Sequence, residues 1–483
     1  MSDRRDPIDA ADELLTYLED HDDVHYAETG AVTRRRRTAK HGAGRSDDGS
    51  QIENGGVWCR VFADGSAGYR FSPVIAWDNL KDNAERAIRS AKTLAQDTPS
   101  SYDPETLHRA SHPGWGPGAE TFETVDPVER LREAGSSLES VEHERIRLSY
   151  QRDLLDISVL TTTGSAIRMS IDRGQVTGSV TTASGTRLQT HVGTTTGSEV
   201  LDELEPAVES LAESAERRNA LSAAEQPSGE QAVLFGPNAA GRLLHYCSQF
   251  LEMDTAYAGA MPFERGERIA PDGLSIHDGV SAGSWGGTPY DAEARPTHPV
   301  TLVDDGVVTS FLHSVETAIE EEASPSGNLV LPLGFEHAPR IHPRHLDVEA
   351  GSASIGALSD EATVLVERIG QVSQRNEATS AKRISAAPTP ALYAHNTNRL
   401  TPDAYDERDQ TLRLNVMEGY VLEDGERAGT IEDATIEFDV TDLRSISGLS
   451  ACRETVTGTA KKHKATFPYA VTAPALLLRT TVN

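Results

Sequence analysis

The chain has 483 residues, with 75 acidic against 45 basic side chains and a formal net charge of −30. A surface of that sign repels a phosphate backbone, which excludes general nucleic-acid binding and predicts no nucleic-acid partner. No apolar run reaches the roughly 18–20 residues that cross a bilayer, so a helical membrane protein is excluded as well.

The length allows two or three domains with their own cores. The segment Met1 to Asp23 is acidic and polar, and no secretory signal is read there. Cys59, Cys247 and Cys452 stand far apart and form no CxxC pair, the usage of a reducing compartment, so a cytoplasmic location is expected. Most basic residues are Arg and only seven are Lys. Acidic excess with few Lys resembles proteins of salt-loving organisms, in which surface carboxylates keep the chain hydrated, and a halophilic source is expected.

Residues 7–24 read as a short amphipathic helix with Leu14, Leu15 and Leu18 on one side. The stretch 25–72 reads as strands that include the polar run Arg34–Arg37, and alternating apolar positions around Asp64-Gly65 predict a hairpin. Residues 76–96 form a helix with Leu80, Ala84, Ala87, Ile88, Ala91 and Leu94 on one face. A Pro, Gly and Ser-rich connector follows at 98–119. Five alternating segments, Arg147–Tyr150, Leu154–Thr161, Ala166–Ile171, Val176–Thr182 and Arg187–Val192, predict an antiparallel meander. A helix over roughly 198–219 closes the first half, and the low-complexity stretch 220–231 marks a junction. The division expected is 1–225 for an N-terminal α+β domain and 226–483 for a β-rich one.

The most informative segment is 237–254. Pro237 supplies a helix start, and Ala240, Leu243, Leu244, Cys247, Phe250 and Leu251 recur at helical spacing around His245. A zincin-type helix carries two His on one face and a Glu beside the first, which polarises the attacking water. Here Tyr246 follows His245, and Gln249 and Phe250 stand one turn on; none of the three replaces a carboxylate base or an imidazole. Cys247 lies two residues from His245, so the two side chains project about 200° apart and Cys247 reads as core.

The order of features resembles the TldD/PmbA family, the related TldD and TldE subunits of a bacterial and archaeal metallopeptidase. Asn54-Gly-Gly-Val-Trp-Cys-Arg-Val-Phe-Ala-Asp-Gly-Ser-Ala-Gly-Tyr69 is similar to the family's N-terminal Gly-rich hairpin. Ala232-Val-Leu-Phe-Gly-Pro-Asn-Ala-Ala-Gly-Arg-Leu-Leu-His245 is similar to the strand and helix that carry its His-Glu-x-x-x-His motif. Tyr290-Asp-Ala-Glu293, Val300 to Leu312, Pro325-Ser-Gly-Asn328, Glu418 to Glu426 and Ser447 to Cys452 follow in the family's order.

The resemblance implies an α+β fold: an N-terminal mixed-sheet α/β domain and a largely antiparallel, barrel-like β domain. In TldD-type members two His and a C-terminal Cys bind zinc. Carried over, His245 matches the first ligand and Cys452 the Cys, while Tyr246 stands at the general base and Phe250 (or Gln249, if one residue is deleted) at the second His. That departure is the pattern of TldE, so no catalytic residue is assigned and no cofactor is expected in the lone chain. His245 and Cys452 are retained as candidate zinc ligands, possible relics of a lost site. The partners implied are a TldD-like catalytic subunit or a second copy of the chain, with unfolded peptide as substrate.

Asp291 and Glu293 are candidate linings of a peptide channel, or else solvated loop charges. His337, His342 and His345 with Arg340 and Arg344 read as an exposed basic loop, with a replacement metal site as the alternative; His277-Asp278 reads as a turn before Gly279, the alternative being a general base; and Arg34–Arg37 reads as an exposed strand or hairpin segment, the alternative being a nucleic-acid contact. Two alternatives to the TldE-like reading stay open. One is a divergent zinc peptidase using His245, Cys452 and an unidentified third ligand; the other is a homodimeric peptide-binding scaffold.

Overall fold

Asp6 and Pro7 start the first helix in the usual way: the carboxylate accepts from the Ile8 N–H at 2.8 Å and proline takes the first turn. In the computed structural model, which describes residues 6–42, 48–64, 66–95, 122, 125–254, 263–279, 283–374, 411–462 and 465–483, this helix is α1 (Pro7–Glu19), with Leu14, Leu15 and Leu18 buried. β1 (Tyr26–Gly42), β2 (Asp48–Ala63) and β3 (Ser66–Ser72) follow, and Asp64 takes the left-handed conformation of the predicted hairpin at φ 53°. Gly65 and the connector 98–119 lie outside the described residues. α2 (Trp77–Ala95) lies so close to β3 that a Cβ on Gly68 would stand 2.0 Å from the Ala87 carbonyl, and only glycine fits there.

α3 (Pro127–Glu139) was not foreseen, although Asp126 caps it and Pro127 opens it. The predicted meander condenses into three long strands, β4 (His143–Thr161), β5 (Ala166–Thr182) and β6 (Arg187–Thr194), before α4 (Leu204–Ala220). The sheet runs β3-β2-β1-β4-β5-β6, with every pairing antiparallel. α1 and α2 cover one end of one face, and α3 and α4 the other end. The opposite face carries Val32, Trp58, Leu155, Ile157 and Met169, which pack against Ala294, Phe335 and Ala338 of the C-terminal half.

In that half, β7 (Gly229–Phe235) pairs with the closing strand Ala465–Val482 on one side and with Val364–Gln374 on the other. Thr411–Glu423 and Thr435–Asp439 complete the circuit back to the closing strand, which closes a barrel. The barrel is mainly antiparallel; β7 with Val364–Gln374 is a parallel pairing, and Leu346–Val348 joins the closing strand in parallel from outside. α5 (Pro237–Ser248) sets Ala239, Ala240, Leu243, Leu244 and Cys247 into one core with Phe235, Ile436, Phe438 and Leu476. The helix is shorter than predicted. It ends at Ser248, a tight turn covers Gln249–Leu251, and Glu252 is extended.

Three surface readings are corrected. The basic loop is interior: Arg340, His342 and Arg344 are 4%, 1% and 1% exposed. The reason is that the guanidinium finds partners inside, because the two terminal nitrogens of Arg344 donate to the Gly327 and His298 carbonyls at 2.8 and 3.0 Å and to Asp278 at 3.2 Å. Asp278 is no turn residue but the buried end of a short strand. It accepts from the N–H groups of Arg344 and His345 at 2.7 and 3.0 Å and from Asn328 at 2.7 Å. The arginines of β1 are strand residues, as expected, but half-buried rather than exposed, and Arg36 pairs with Asp153 at 2.6 Å. No helix among the described residues is long and apolar enough to cross a membrane.

Candidate functional site

α5 delivers His245 to a closed interior position. Its ring stacks on Tyr469 of the closing strand, with centroids 3.9 Å apart and planes 11° from parallel, and lies 5.2 Å from the ring of His342. Both histidines are buried, and neither has a hydrogen-bonded ring nitrogen among the described residues. Burial, with Arg242 and Lys462 nearby, pulls His245 down to about 3, and burial also drives His342 well below the usual histidine range. Both imidazoles are therefore neutral at pH 7.

The chain leaving α5 brings two carboxylates to the same place. Glu252 and Asp254 are buried, and the ammonium of Lys462 donates to both and to the Ile341 carbonyl at 2.9 Å. Glu252 Oε1 lies 3.8 Å from His342 Nδ1. Burial, partly offset by Lys462, pushes Glu252 up to about 8, so it holds a proton at neutral pH and the cluster sheds its excess negative charge. Lys462 and His342 were not picked out as partners of His245 from sequence; Lys462 stands in a Lys-Lys pair in a chain poor in Lys, which was the available signal.

These residues do not fit a zinc ion as arranged. Zinc takes three or four protein ligands, and no group of three His, Cys, Asp or Glu side chains among the described residues converges suitably. The nearest carboxylates already share a fixed cation, whose charge would repel a second one. Tyr246 is half-buried beside His245, and Phe250 is part of the barrel core.

The structure does not bring Cys452 to His245. Gly458 is the residue opposite Tyr469, and Cys452 lies six positions earlier on the strand Gly448–Lys462, roughly 20 Å away at strand rise. Its thiol is exposed, 3.7 Å from the Ser450 hydroxyl.

Asp291 and Glu293 are also brought inside. Asp291 accepts from the N–H groups of Glu293, Arg295 and Leu329, which fixes the loop, and burial beside Glu293 pushes it up to about 7. Glu293 accepts from the Val315 N–H at 2.9 Å and from Arg60 at 3.0 Å. Arg60 of β2 also meets Glu28 at 3.2 Å and Glu316 at 3.6 Å, so this network ties the N-terminal sheet to the C-terminal half.

The large open space lies elsewhere. A cavity of about 1070 Å³ runs between β4, β5 and β6 on one side and α5 with the strand Gly448–Lys462 on the other. A second, of about 1000 Å³, continues it past the barrel, and Arg187, Gln189, Arg242 and Thr459 line both. Tyr469, which stacks on His245, lines the first. β6 is the last strand of its sheet, and Gly448–Lys462 pairs with the closing strand and bridges Ala353 at Ser450; between the two strands the Thr457 hydroxyl meets the Gly193 N–H and the His191 carbonyl, and Trp285 Nε1 donates to the Gly458 carbonyl.

The chain thus has a two-part α+β architecture with a histidine helix laid on a closed barrel. The model for the PmbA/TldA metallopeptidase C-terminal domain matches residues 228–482, more than half of the sequence, and the chain belongs to the PmbA/TldD family. It is similar to a metalloprotease of Methanothermobacter thermautotrophicus, 25% identical over 452 residues that span 91% of this chain and 90% of that one. A metalloprotease of Archaeoglobus fulgidus is 34% identical over 95 residues, 19% of this chain and 22% of the other. Among solved structures, TldE from Thermococcus kodakarensis superposes with a TM-score of 0.69 at 16% identity, covering 98% of this chain and 99% of that chain. A Thermotoga maritima protein, described as a proposed modulator of a DNA gyrase, gives 0.68 at 18% identity with the same coverage. These two likenesses show the fold.

Proposed function

We propose that this chain is a TldE-like subunit without a hydrolytic centre of its own, forming part of a chamber in which a TldD-like partner cleaves unfolded peptides. One observation carries the reading: where the family helix would present its metal, Glu252 and Asp254 are engaged by the Lys462 ammonium beside a neutral His245. Tyr246 and Phe250 support it, since neither accepts a proton from a zinc-bound water as a carboxylate would. Such a subunit keeps a use, because an extended peptide is held through backbone groups at a sheet edge rather than through catalysts.

The test is reconstitution. The chain is purified alone and with a TldD-type chain that retains His-Glu-x-x-x-His, and cleavage of a denatured peptide is followed. Activity is expected from the mixture and above that of either chain alone. Zinc-dependent cleavage by this chain alone would favour the divergent peptidase, and failure to associate with a TldD-type chain, with self-association instead, would favour the homodimeric scaffold.

A further inference from the structure

The cavity between β6 and the strand Gly448–Lys462 has a charge opposite to that of the protein. Across its two connected parts it is lined by Lys40, Arg147, Arg187, Arg242 and Lys461, besides Arg218, which is paired with Glu432 at 2.7 Å. The acidic residues along the same walls are Asp48, Glu432 and Asp433. In a chain of net charge −30 with seven Lys, a wall with this excess of cations is a local reversal of sign. A concave, low-dielectric surface concentrates such a field.

Arg242 stands at the centre. It lines both parts of the cavity, and its buried Nε has no hydrogen-bond partner among the described residues. A buried guanidinium N–H without a partner calls for an explanation, and a ligand acceptor supplies one. Its charge also reaches the neighbouring His191, which burial and Arg242 pull down to about 4, so the imidazole adds no charge at pH 7.

We propose that this cavity binds extended peptide segments bearing Asp or Glu side chains, and that Arg242 with Arg187 recognises their carboxylates. The proposal rests on the reading of the chain as a peptide-holding wall and adds the class of peptide. A guanidinium fork matches a carboxylate in two parallel hydrogen bonds. The combined volume exceeds the roughly 300–1,000 Å³ of small-molecule pockets. Two connected parts of this size suit an extended chain rather than a compact ligand. Nucleic acid is disfavoured because a polyanion longer than the cavity meets the negative exterior.

The test uses the full chain and fluorescently labelled octapeptides of one composition, carrying three Asp, three Asn or three Lys, at a single salt concentration. The Asp peptide is expected to bind about tenfold or more tighter than the Asn peptide, with the Lys peptide weakest. Arg242→Gln and, separately, Arg187→Gln should each bring the affinity for the Asp peptide down to about that for the Asn peptide; Arg187 is exposed, so its variant keeps the test valid if Arg242→Gln misfolds. Equal binding of Asp and Asn peptides would overturn the charge selection and leave the peptide-wall reading standing. Binding of no peptide would overturn both. Displacement of the Asp peptide by a short single-stranded oligonucleotide at lower concentration would also overturn it, in favour of a nucleic-acid ligand.

Discussion

Two buried charge clusters in this molecule have similar composition and different completeness. Around Arg60, one guanidinium faces Glu28, Glu293 and Glu316; around Lys462, one ammonium faces Glu252 and Asp254. In the first, no buried side-chain nitrogen or oxygen is left without a partner among the described residues. In the second, both nitrogens of His245 and of His342, together with Glu252 Oε1 and Asp254 Oδ2, have none. A structural cluster saturates its polar atoms, because an unmade buried hydrogen bond is costly. The Lys462 cluster keeps unpartnered atoms on both of its histidines and on both of its carboxylates, whereas the Arg60 cluster keeps none among the described residues.

The comparison can be broken by removing each cation. Arg60→Met strands three buried carboxylates between the two halves and should cost about 3–5 kcal/mol in denaturant unfolding. Lys462→Met strands two, one of which can hold a proton, so the loss should be smaller, about 3 kcal/mol. The two variants should also differ in kind. Added zinc should raise the melting temperature of Lys462→Met, whose carboxylates and imidazoles are then open to a cation, and should leave Arg60→Met unchanged. Equal responses would erase the distinction between the clusters.

Acid sharpens it further. His245 is held near 3 against about 6.5 in the unfolded chain. Between those values the unfolded state binds the extra proton, so its contribution is present above 6.5 and is lost as pH falls toward 3. Glu252, raised to about 8, acts oppositely: the native state holds the proton, and that contribution is lost as pH rises from about 4.5 through 8. His245→Phe should flatten the fall of melting temperature between pH 6 and 4, by roughly one proton in the linkage slope. The smallest effect belongs to Cys452→Ser, which should change stability by less than about 0.5 kcal/mol, as for an exposed residue.

The fold was largely legible because its elements carry strong local signals. The apolar faces of α1 and α2 and the alternation along β4 to β6 are repeated enough to override noise. α3 went unread although Asp126-Pro127 is a sound start signal, since its sequence Pro-Val-Glu-Arg-Leu-Arg-Glu-Ala-Gly-Ser-Ser-Leu-Glu follows the Pro and Gly-rich connector. At the site, His245 and its departures from the motif could be seen because they lie on one helix. Lys462 could not be assigned, because the closeness of residues some 210 positions apart depends on how the barrel closes. The arginines and histidines of 340–345 read as surface from composition, which cannot show that Arg344 finds three carbonyl and carboxylate partners inside.

The most direct test of the central claim is the zinc content of the isolated chain after equilibration with excess zinc and removal of loosely held ion. With Lys462 on Glu252 and Asp254, the natural chain should hold no stoichiometric zinc. One firmly bound equivalent that disappears in His245→Ala would contradict it.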